Sequence, residues 1–299
     1  MKFVYSPEYE ADIGPHVFPT QKYRLVMEKL IKDGLATKAD FLVPEPATRE
    51  QLALVHTEEF LDDLLNLRRT QRTMSSELPI SESIVRAYVL AAGGTILACR
   101  QALEHGQPLC CHIGGGFHHG FADHAEGFCY INDIAVGIRT MQKEGRIEKA
   151  AVLDCDLHQG NGTAHIFQDD ASVFTYSIHQ ENNYPFKQKS DLDVGLLDFI
   201  GDDEYLAHLQ KEVPHVLDSH KPQLVIYVAG ADPYKNDQLG SLQLTLKGLQ
   251  ERDRLVFSEC LKRGIPAVSV TAGGYARQVS DTVLIHYGAC AAAHDLAGG

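Results

Sequence analysis

Short apolar runs alternate with amphipathic stretches through most of the chain. The apolar runs are nearly continuous, which is typical of strands that are buried on both faces of a parallel sheet. The stretches between them repeat apolar residues at helical spacing. Strands are predicted at KFVY near the start and at residues 108–113, 149–154, 172–178, 223–229 and 266–271. Helices are predicted at residues 81–105, 130–143, 160–168, 202–219, 246–263 and 277–296.

Capping residues mark several helix ends in the first third of the chain. Thr20 is expected to cap a helix that runs through RLVMEKLIK and stops at Gly34. Thr48 and Thr57 each precede a short helical pattern with Glu in its first turn. The long helix that begins near residue 81 is expected to end at Gly106.

The alternation of strands and helices predicts an α/β fold, a three-layer α/β/α arrangement with a central, mostly parallel sheet. Neither a repeat nor a low-complexity tract nor a Pro/Ser-rich linker divides the sequence, so residues 1–299 are predicted to form a single domain. In open parallel sheets, ligands bind outside the carboxyl ends of the strands. The functional site is therefore expected at that edge.

Four predicted strands are followed at once by polar residues set between glycines. These segments are HIGGGFHHG, DCDLHQGNG, GAD and AGGY. Glycine lets a backbone approach a ligand closely. Four such loops on one edge of a sheet predict an active site.

The second of these loops offers metal ligands. Alternation along an extended chain puts Asp154, Asp156 and His158 on one side. Carboxylate oxygens and imidazole nitrogens suit Zn²⁺, Fe²⁺ or Mn²⁺, and Asp232 in the GAD loop can supply a third ligand. Three protein ligands and one solvent position form the catalytic arrangement for zinc. The alternative is a hydrogen-bonded cluster that ties the strand end to its loop.

The glycine-rich loops also offer groups for proton transfer. His118 and His119 follow three glycines and are candidates for a proton-transfer pair or for metal ligands. Tyr275 follows Gly273 and Gly274, and its phenol could donate a hydrogen bond to a developing oxyanion. Taken alone, Tyr275 would be interpreted as a packing residue.

Composition narrows the function class. Forty acidic residues against 27 basic ones give a formal charge of −13, which argues against direct binding of nucleic acid or an anionic membrane. The 15 histidines stand out, because eight of them lie between residues 105 and 179. The seven dispersed cysteines predict reduced, buried thiols, and a cytoplasmic location is the default expectation. The absence of a long uncharged apolar run predicts that nothing spans a membrane.

Together these motifs resemble the zinc-dependent histone deacetylases and related acyl-amide hydrolases of the arginase/deacetylase superfamily. The resemblance extends over nearly the whole chain, from VYSPEY to TAGGY, and rests on GGGFHH, GFCYINDIA, DCDLHQGNG and GADPYKNDQLG. The HQGNG form, Leu239 and the compact length are most similar to the class IV subgroup and its bacterial relatives. The resemblance implies one catalytic Zn²⁺, a structural monovalent cation such as K⁺, and an acylated lysine protein, peptide or amine as substrate.

The resemblance also assigns roles residue by residue. It implies zinc ligation by Asp156, His158 and Asp232, proton transfer by the paired histidines, and oxyanion stabilisation by Tyr275. Asp154 would orient His118 and, with Ser177, lie near the monovalent cation. The residues implied to line the acyl-lysine tunnel are Gly127, Phe128, Tyr184 and Leu239. Arg24 would lie near the channel through which acetate is released.

One position departs from many family members. Where they have Asp to pair with the second histidine, this chain has Asn161, as class IV relatives do. An amide oxygen still accepts a hydrogen bond from His119 but carries no charge. We therefore expect a lower pKa for His119 than in members with Asp, which favours a neutral general base.

Three alternatives to an acyl-lysine deacylase remain open from the residues. An acetylpolyamine or small-amide hydrolase would use the same groups. A binuclear, arginase-type ureohydrolase would need further carboxylates where Gly160 and Tyr234 stand. A non-catalytic binder of acylated ligands would be expected to lack a ligand or Tyr275. Acidic residues are also predicted in loops at the rim, where they could attract a basic substrate: Asp123, Glu126, Glu181 and Asp237.

Overall fold

The structure is a computed structural model that describes residues 1–104 and 107–298. The predicted helix end at His105 and Gly106, and the last residue Gly299, lie outside the described residues. Within them, eight strands form one sheet in the order β2-β1-β3-β8-β7-β4-β5-β6, and the neighbouring strands pair in parallel. The strands are β1 Phe3–Val4, β2 Phe41–Leu42, β3 Leu109–His112, β4 Ala150–Asp154, β5 Val173–Gln180, β6 Leu192–Leu196, β7 Leu224–Val228 and β8 Ala267–Val270.

Helices cover both faces of the sheet, so the predicted α/β/α layering is confirmed. Each helix predicted from periodicity is present within a few residues of its expected bounds. The helices are α1 Lys22–Lys32, α2 Arg49–Leu52, α3 Glu58–Leu65, α4 Gln71–Met74, α5 Glu82–Glu104, α6 Asp133–Lys143, α7 Asn161–Phe167, α8 Asp202–His220, α9 Leu246–Lys262 and α10 Val279–Leu296. Short 3-10 turns lie at Pro7–Tyr9 and Lys38–Asp40.

The order of the strands explains where the site lies. Strands β3, β8, β7 and β4 are the four that precede the glycine-flanked polar loops, and they are consecutive neighbours in the sheet. Their residues are buried on both faces. Because parallel neighbours end at the same edge, the four loops converge there.

The two edge strands were not predicted. Strand β2 has only two residues, and β6 alternates exposed and buried positions in LDVGL. An edge strand is half exposed, so it lacks the continuous apolar run that marked the inner strands. The signal used for prediction therefore fails at the margins of the sheet.

Helix α5 is long and apolar enough to cross a membrane by length and composition. In the fold, 72% of its apolar window is buried inside the protein. Its small residues at AAGG are buried, and the helix contacts α6 and strands of the sheet. Such burial is typical of the core helix of a globular fold.

Two of the three predicted caps are present. The hydroxyls of Thr48 and Thr57 accept hydrogen bonds from the first turns of α2 and α3. The prediction for Thr20 is wrong, because its hydroxyl donates to the carbonyl of Ala11 and ties down the N-terminal loop instead. Helix α1 begins after Gln21 without a side-chain cap. All seven cysteines are free and buried, as predicted.

Candidate active site

A buried triad of potential metal ligands lies at the carboxyl edge of the sheet. One ligand atom from each of Asp156, His158 and Asp232 falls within 4.8 Å of the others, and all three residues are buried. His158 Nδ1 lies 3.3 Å from Asp156 Oδ1 and 3.2 Å from Asp232 Oδ2. The backbone N–H of Leu157 donates to Asp232 Oδ1 over 2.9 Å, which fixes the third ligand against the β4 loop.

The chemistry of the triad fits a divalent cation. Asp156 Oδ2 is buried and has no hydrogen-bond partner among the described residues. Such an oxygen is costly unless something positive faces it. A Cβ on Gly273 would fall 2.5 Å from Asp156 Oδ2 and from the Asp232 carboxyl, so glycine keeps the space between the carboxylates and the β8 loop open. Two carboxylates and one imidazole match the donor set of a catalytic zinc site.

A buried arginine that the sequence did not single out supports the two loops that carry these ligands. Arg252 in helix α9 is fully buried and donates to the carbonyls of Cys155, over 3.1 Å, and Gly230, over 2.6 Å. Its charge is balanced by Asp253, 2.8 Å away. Helical periodicity could not have identified Arg252, because its long side chain lies at an ordinary helical position.

His118 is paired with the carboxylate that the sequence assigned to it. Its Nδ1 lies 2.7 Å from Asp154 Oδ2, and both side chains are buried. Burial lowers the pKa of His118, but the Asp154 and Asp156 carboxylates outweigh burial and raise it to about 9. His118 is therefore held as an imidazolium near neutral pH.

His119 has the opposite electrostatics. Its Nδ1 lies 2.7 Å from Asn161 Oδ1, the contact that the sequence predicted. Burial lowers the pKa of His119 well below its usual value, and the imidazoles of His118 and His158 lower it further. The two adjacent imidazoles, with ring centres 4.1 Å apart, are thus held in different protonation states.

Tyr275 lies on the loop after β8, and Asp237 positions its backbone. Asp237 Oδ2 accepts from the Tyr275 N–H over 2.7 Å, and Asp237 Oδ1 accepts from Leu239 over 2.9 Å. The prediction of Asp237 as a rim charge is therefore wrong, because the residue is buried under the loops that it links. Burial and the Asp232 carboxylate raise the pKa of Tyr275, so its phenol stays protonated and can donate.

Several of the candidate residues line one cavity of about 200 Å³ that opens to the surface. Its lining includes one triad residue, one of the two histidines predicted to transfer protons, and the residues predicted for the tunnel. These residues are Glu77, His119, Gly127, Phe128, His158, Asn183, Tyr184, Leu239 and Tyr275. The four predicted tunnel residues thus meet at one opening above the triad.

The wall at Phe128 is held in an unusual conformation. Phe128 has φ of +62°, a value that is an outlier for a bulky residue. Its N–H donates to Ser76 over 2.9 Å, and its carbonyl accepts from the hydroxyl of Tyr88. Ser76 thus holds the N–H of Phe128 and Tyr88 holds its carbonyl, and together they can maintain a backbone conformation that costs about 1–3 kcal/mol.

Tyr184 is carried by a loop that Gln159 fastens. The Gln159 amide donates to the Gln188 carbonyl over 2.6 Å and to Asp193 over 2.7 Å. The Tyr184 ring centre lies 5.2 Å from that of His119 and 6.0 Å from that of His158. Tyr184 therefore forms the part of the cavity wall that lies beside both imidazoles.

The expectation for Arg24 is wrong. Its side chain is 39% exposed and pairs with Glu10 and Glu28 on the surface. Lys22 occupies the interior instead, where it is buried and donates to the Gly273 carbonyl. Residues two apart on a helix point to roughly opposite sides, so only one of Lys22 and Arg24 can face the site.

Lys22 borders a second, smaller cavity that shares part of its lining with the first. A cavity of about 20 Å³ is lined by Lys22, His118, Cys129 and Tyr275, among others. Burial lowers the pKa of Lys22, against the pull of Asp232 and Asp156, to about 8. Lys22 was not among the predicted site residues, although the aromatic residues around it in FPTQKY favour a buried position.

The residues expected near a monovalent cation are neighbours. Asp154 and Ser177 are register partners on β4 and β5. Ser177 Oγ lies 2.9 Å from His179 Nδ1, so this buried histidine contacts the predicted cation site and not the triad. The K⁺ assignment itself stays a prediction.

The remaining rim carboxylates differ from one another. Asp123 and Glu181 have side chains 65% and 52% exposed, as a rim role requires. Glu126 is only 26% exposed and accepts hydrogen bonds from Asn161, over 2.7 Å, and Tyr184, over 3.0 Å. Glu126 is therefore part of the hydrogen-bonded structure around His119.

Comparison with known proteins decides the family. Residues 16–289 match the family model described as histone deacetylase domain. The chain belongs to the histone deacetylase family. Histone deacetylase 2 of Arabidopsis thaliana is 31% identical over 95% of this chain and 78% of its own length.

Other relatives also align over most of this chain. An uncharacterized protein of Picosynechococcus is 42% identical over 95% of each chain. Acetoin utilization protein AcuC of Bacillus subtilis is 29% identical over 91% of this chain and 77% of its own. The crystal structure of the HDA15 HD domain superposes with a TM-score of 0.83 at 23% identity and covers 100% of this chain and 91% of that one, which supports the fold.

Proposed function

We propose that this histone deacetylase family member is a zinc-dependent deacylase that hydrolyses the amide of acyl-lysine in proteins or peptides. The observation that carries the proposal is that His119, His158 and Tyr275 line one open cavity above a buried carboxylate–imidazole triad. A general base, a metal ligand and an oxyanion donor then face the same small volume. The family of the chain makes deacetylation the reaction to test first.

Asp156, His158 and Asp232 would hold the metal ion. Zn²⁺ bound there would supply Lewis-acid chemistry, polarising the acyl carbonyl and lowering the pKa of water toward about 7. Fe²⁺ would suit the same donors. Within the described residues, this triad is the group of ligands close enough to share an ion, which favours one metal over the two of a ureohydrolase.

The protein side chains would divide the proton transfers. With Nδ1 of His119 engaged by Asn161, Nε2 is the nitrogen that takes the proton from the attacking water. A positioned general base contributes about 10²–10⁴ in rate. His119 then delivers the proton to the leaving amine. His118, held cationic by Asp154, supplies positive charge beside the reacting carbonyl.

Tyr275 would donate its phenolic hydrogen to the tetrahedral oxyanion. The loss of one such donor typically costs about 10²–10³ in rate. The Gly127 carbonyl would anchor the substrate amide N–H, and Phe128, Tyr184 and Leu239 would enclose the lysine stem. The exposed carboxylates Asp123 and Glu181 would favour a cationic peptide or amine around the acylated group.

The direct test is turnover of acylated substrates by the metal-loaded protein. A panel should cross acyl length (acetyl to long chain) with amine scaffold (lysine peptide, polyamine, small amide). The proposal expects turnover of at least one acyl-lysine peptide, with polyamines and small amides slower, and inhibition by a hydroxamate. Faster turnover of acetylpolyamines would establish the alternative substrate class. Absence of turnover with every member, at full metal loading, would overturn the enzymatic proposal and favour an acyl-ligand binder.

A further inference from the structure

We infer that Glu126 is a positioning residue that selects the tautomer of His119 through Asn161. The inference deepens the proposed function, on which it rests, because it identifies what prepares His119 as a base. The three groups form a chain from the interior to the rim of the cavity. His119 Nδ1 lies 2.7 Å from Asn161 Oδ1, and Asn161 Nδ2 lies 2.7 Å from Glu126 Oε1.

An amide beside an imidazole is ambiguous on its own. With its oxygen toward His119, Asn161 accepts from Nδ1–H and leaves Nε2 with a free lone pair. With its NH₂ toward His119, it donates to Nδ1, and the ring proton then sits on Nε2. Only the first arrangement gives a base at Nε2. Asn161 must therefore be prevented from turning over.

Glu126 removes the ambiguity because an ionised carboxylate is an acceptor only. It can face the NH₂ of Asn161 but not its oxygen. Turning the amide over would bring the Asn161 oxygen against the Glu126 carboxylate. The hydrogen bond to His119 could re-form with the ring proton on Nε2, but the hydrogen bond to Glu126 would be lost and two acceptor oxygens would face each other. Losing a hydrogen bond to a charged group in this partly buried position costs about 1–3 kcal/mol. Glu126 thus sets the orientation of the Asn161 amide.

Glu126 is itself held in place and charged. Tyr184 donates its hydroxyl to Glu126 Oε1 over 3.0 Å, and His124 Nε2 lies 3.6 Å from Oε2. The Glu126 backbone pairs with Cys129, which closes a tight turn before the tunnel wall. Burial raises the pKa of Glu126, but the nearby His124 imidazole and the hydrogen bonds from Asn161 and Tyr184 outweigh burial and lower the pKa below its usual value, so the group is ionised near neutral pH.

The arrangement accounts for an amide where many relatives have a carboxylate. Aspartate at position 161 would accept from His119 whichever oxygen it presented, and would need no third group. It would also place two carboxylates about as close as Asn161 and Glu126 are now, 2.7 Å apart. Asn161 therefore needs Glu126 to fix the orientation of its amide, and Glu126 needs an amide at position 161 to avoid a contact between two carboxylates.

The experiment compares Glu126→Ala in two backgrounds, the wild-type chain and Asn161→Asp. In the zinc-loaded wild-type chain, Glu126→Ala is expected to lower kcat about 10-fold, a part of what a positioned base contributes. KM should change less, because the tunnel lining remains. In the Asn161→Asp chain the same change should leave kcat within about two-fold or raise it, because an acceptor-only partner needs no orientation and a like-charge contact is relieved. Glu126→Gln, which keeps an acceptor oxygen but can itself turn over, should fall between wild type and Glu126→Ala.

A second measurement does not depend on turnover. ¹⁵N-histidine NMR of the zinc-loaded protein reports which ring nitrogen of His119 carries the proton. Wild type should show the Nδ1–H form, Glu126→Ala a mixture with Nε2–H, and the Asn161→Asp double variant the Nδ1–H form again. Glu212→Ala is the matched control, since Glu212 likewise accepts from a tyrosine and contacts a histidine but lies on α8. Its kcat and His119 signals should equal those of wild type.

The role of Glu126 and the proposed deacylase reaction can be refuted independently of each other. An unchanged His119 tautomer in Glu126→Ala, or equal losses of kcat in both backgrounds, would overturn the role of Glu126 even if the enzyme is a deacylase. A shifted tautomer in a protein that hydrolyses no acyl substrate would support the role of Glu126 and overturn the proposed reaction.

Discussion

Asp237 Oδ2 accepts the backbone N–H of Tyr275 over 2.7 Å, so a buried carboxylate fixes the loop that carries the proposed oxyanion donor. Asp237→Asn keeps the shape of the side chain but leaves one acceptor oxygen for two backbone donors. A buried N–H left unpaired costs about 1–3 kcal/mol. We expect kcat to fall about 10-fold and the free energy of unfolding to decrease, as measured by steady-state kinetics and urea unfolding. Asp203→Asn, at an exposed position of α8, serves as the control, and a wild-type kcat in Asp237→Asn would refute the positioning role.

Asn161→Asp should move the acidic limb of the rate–pH profile upward. The new carboxylate stabilises the imidazolium of His119, whose pKa is otherwise held low by burial and by the neighbouring imidazoles. A higher pKa means that more His119 is protonated at a given acidic pH, so the base is lost earlier as pH falls. The profile of kcat/KM with an acyl-lysine peptide measures this, and an acidic limb that stays in place or moves down contradicts it.

Tyr275→Phe should abolish most turnover and leave metal binding intact. The phenol is not part of the triad, and its loss removes one oxyanion donor, worth about 10²–10³ in kcat. The metal content of the variant, measured by plasma emission spectroscopy, distinguishes loss of the oxyanion donor from loss of the bound metal. Tyr287→Phe, on α10 and away from the cavity, is the control. Full activity of Tyr275→Phe would remove the residue from the mechanism.

Buried neutral histidines should weaken the fold in acid. Burial lowers the pKa of His112 to about 3, below its unfolded value of about 6.5. Between these values the unfolded chain binds more protons than the folded one, so stability is full above about pH 6.5 and is lost as pH falls toward 3. His112 alone contributes up to about 1.4 kcal/mol per pH unit in that window.

The measurement for this prediction is urea unfolding at several pH values from 7 to 4. His112→Gln is expected to be less stable at pH 7, because His112 is hydrogen-bonded to Thr95 and Tyr9. Its stability should also depend less steeply on pH than that of wild type. His215→Gln, at an exposed position, should keep the wild-type slope. Equal slopes in all three proteins would show that another group governs acid unfolding.

The sequence predicted the inner strands and the convergence of their loops for one physical reason. Inner parallel strands are buried on both faces, so their apolar runs are unbroken, and their carboxyl ends share an edge. Asp154, Asp156 and His158 could be grouped by alternation along a segment expected to be extended, although β4 ends at Asp154 and the chain bends at residues 156–158. The pairing of His119 with Asn161 followed from the motif and is present in the structure.

What the sequence could not supply were contacts set by tertiary packing. Whether Lys22 or Arg24 faces the interior depends on how α1 packs against α10, which the helical pattern of α1 alone does not show. Glu126 and Asp237 were both expected at the rim, since an acidic residue in a glycine-flanked loop is usually exposed. The burial of Asp237 and the partial burial of Glu126 depend on donors more than thirty residues away, Tyr275 and Asn161, which no local pattern identifies.

The central claim is that one metal ion in the triad enables acyl-lysine hydrolysis. The most direct measurement strips the protein with a chelator and titrates Zn²⁺ back while turnover of an acyl-lysine peptide is followed. Turnover should vanish on stripping and return linearly up to one equivalent, and Asp232→Asn should neither bind that equivalent tightly nor recover. Turnover that survives complete removal of metal, or that needs two equivalents, would contradict the account.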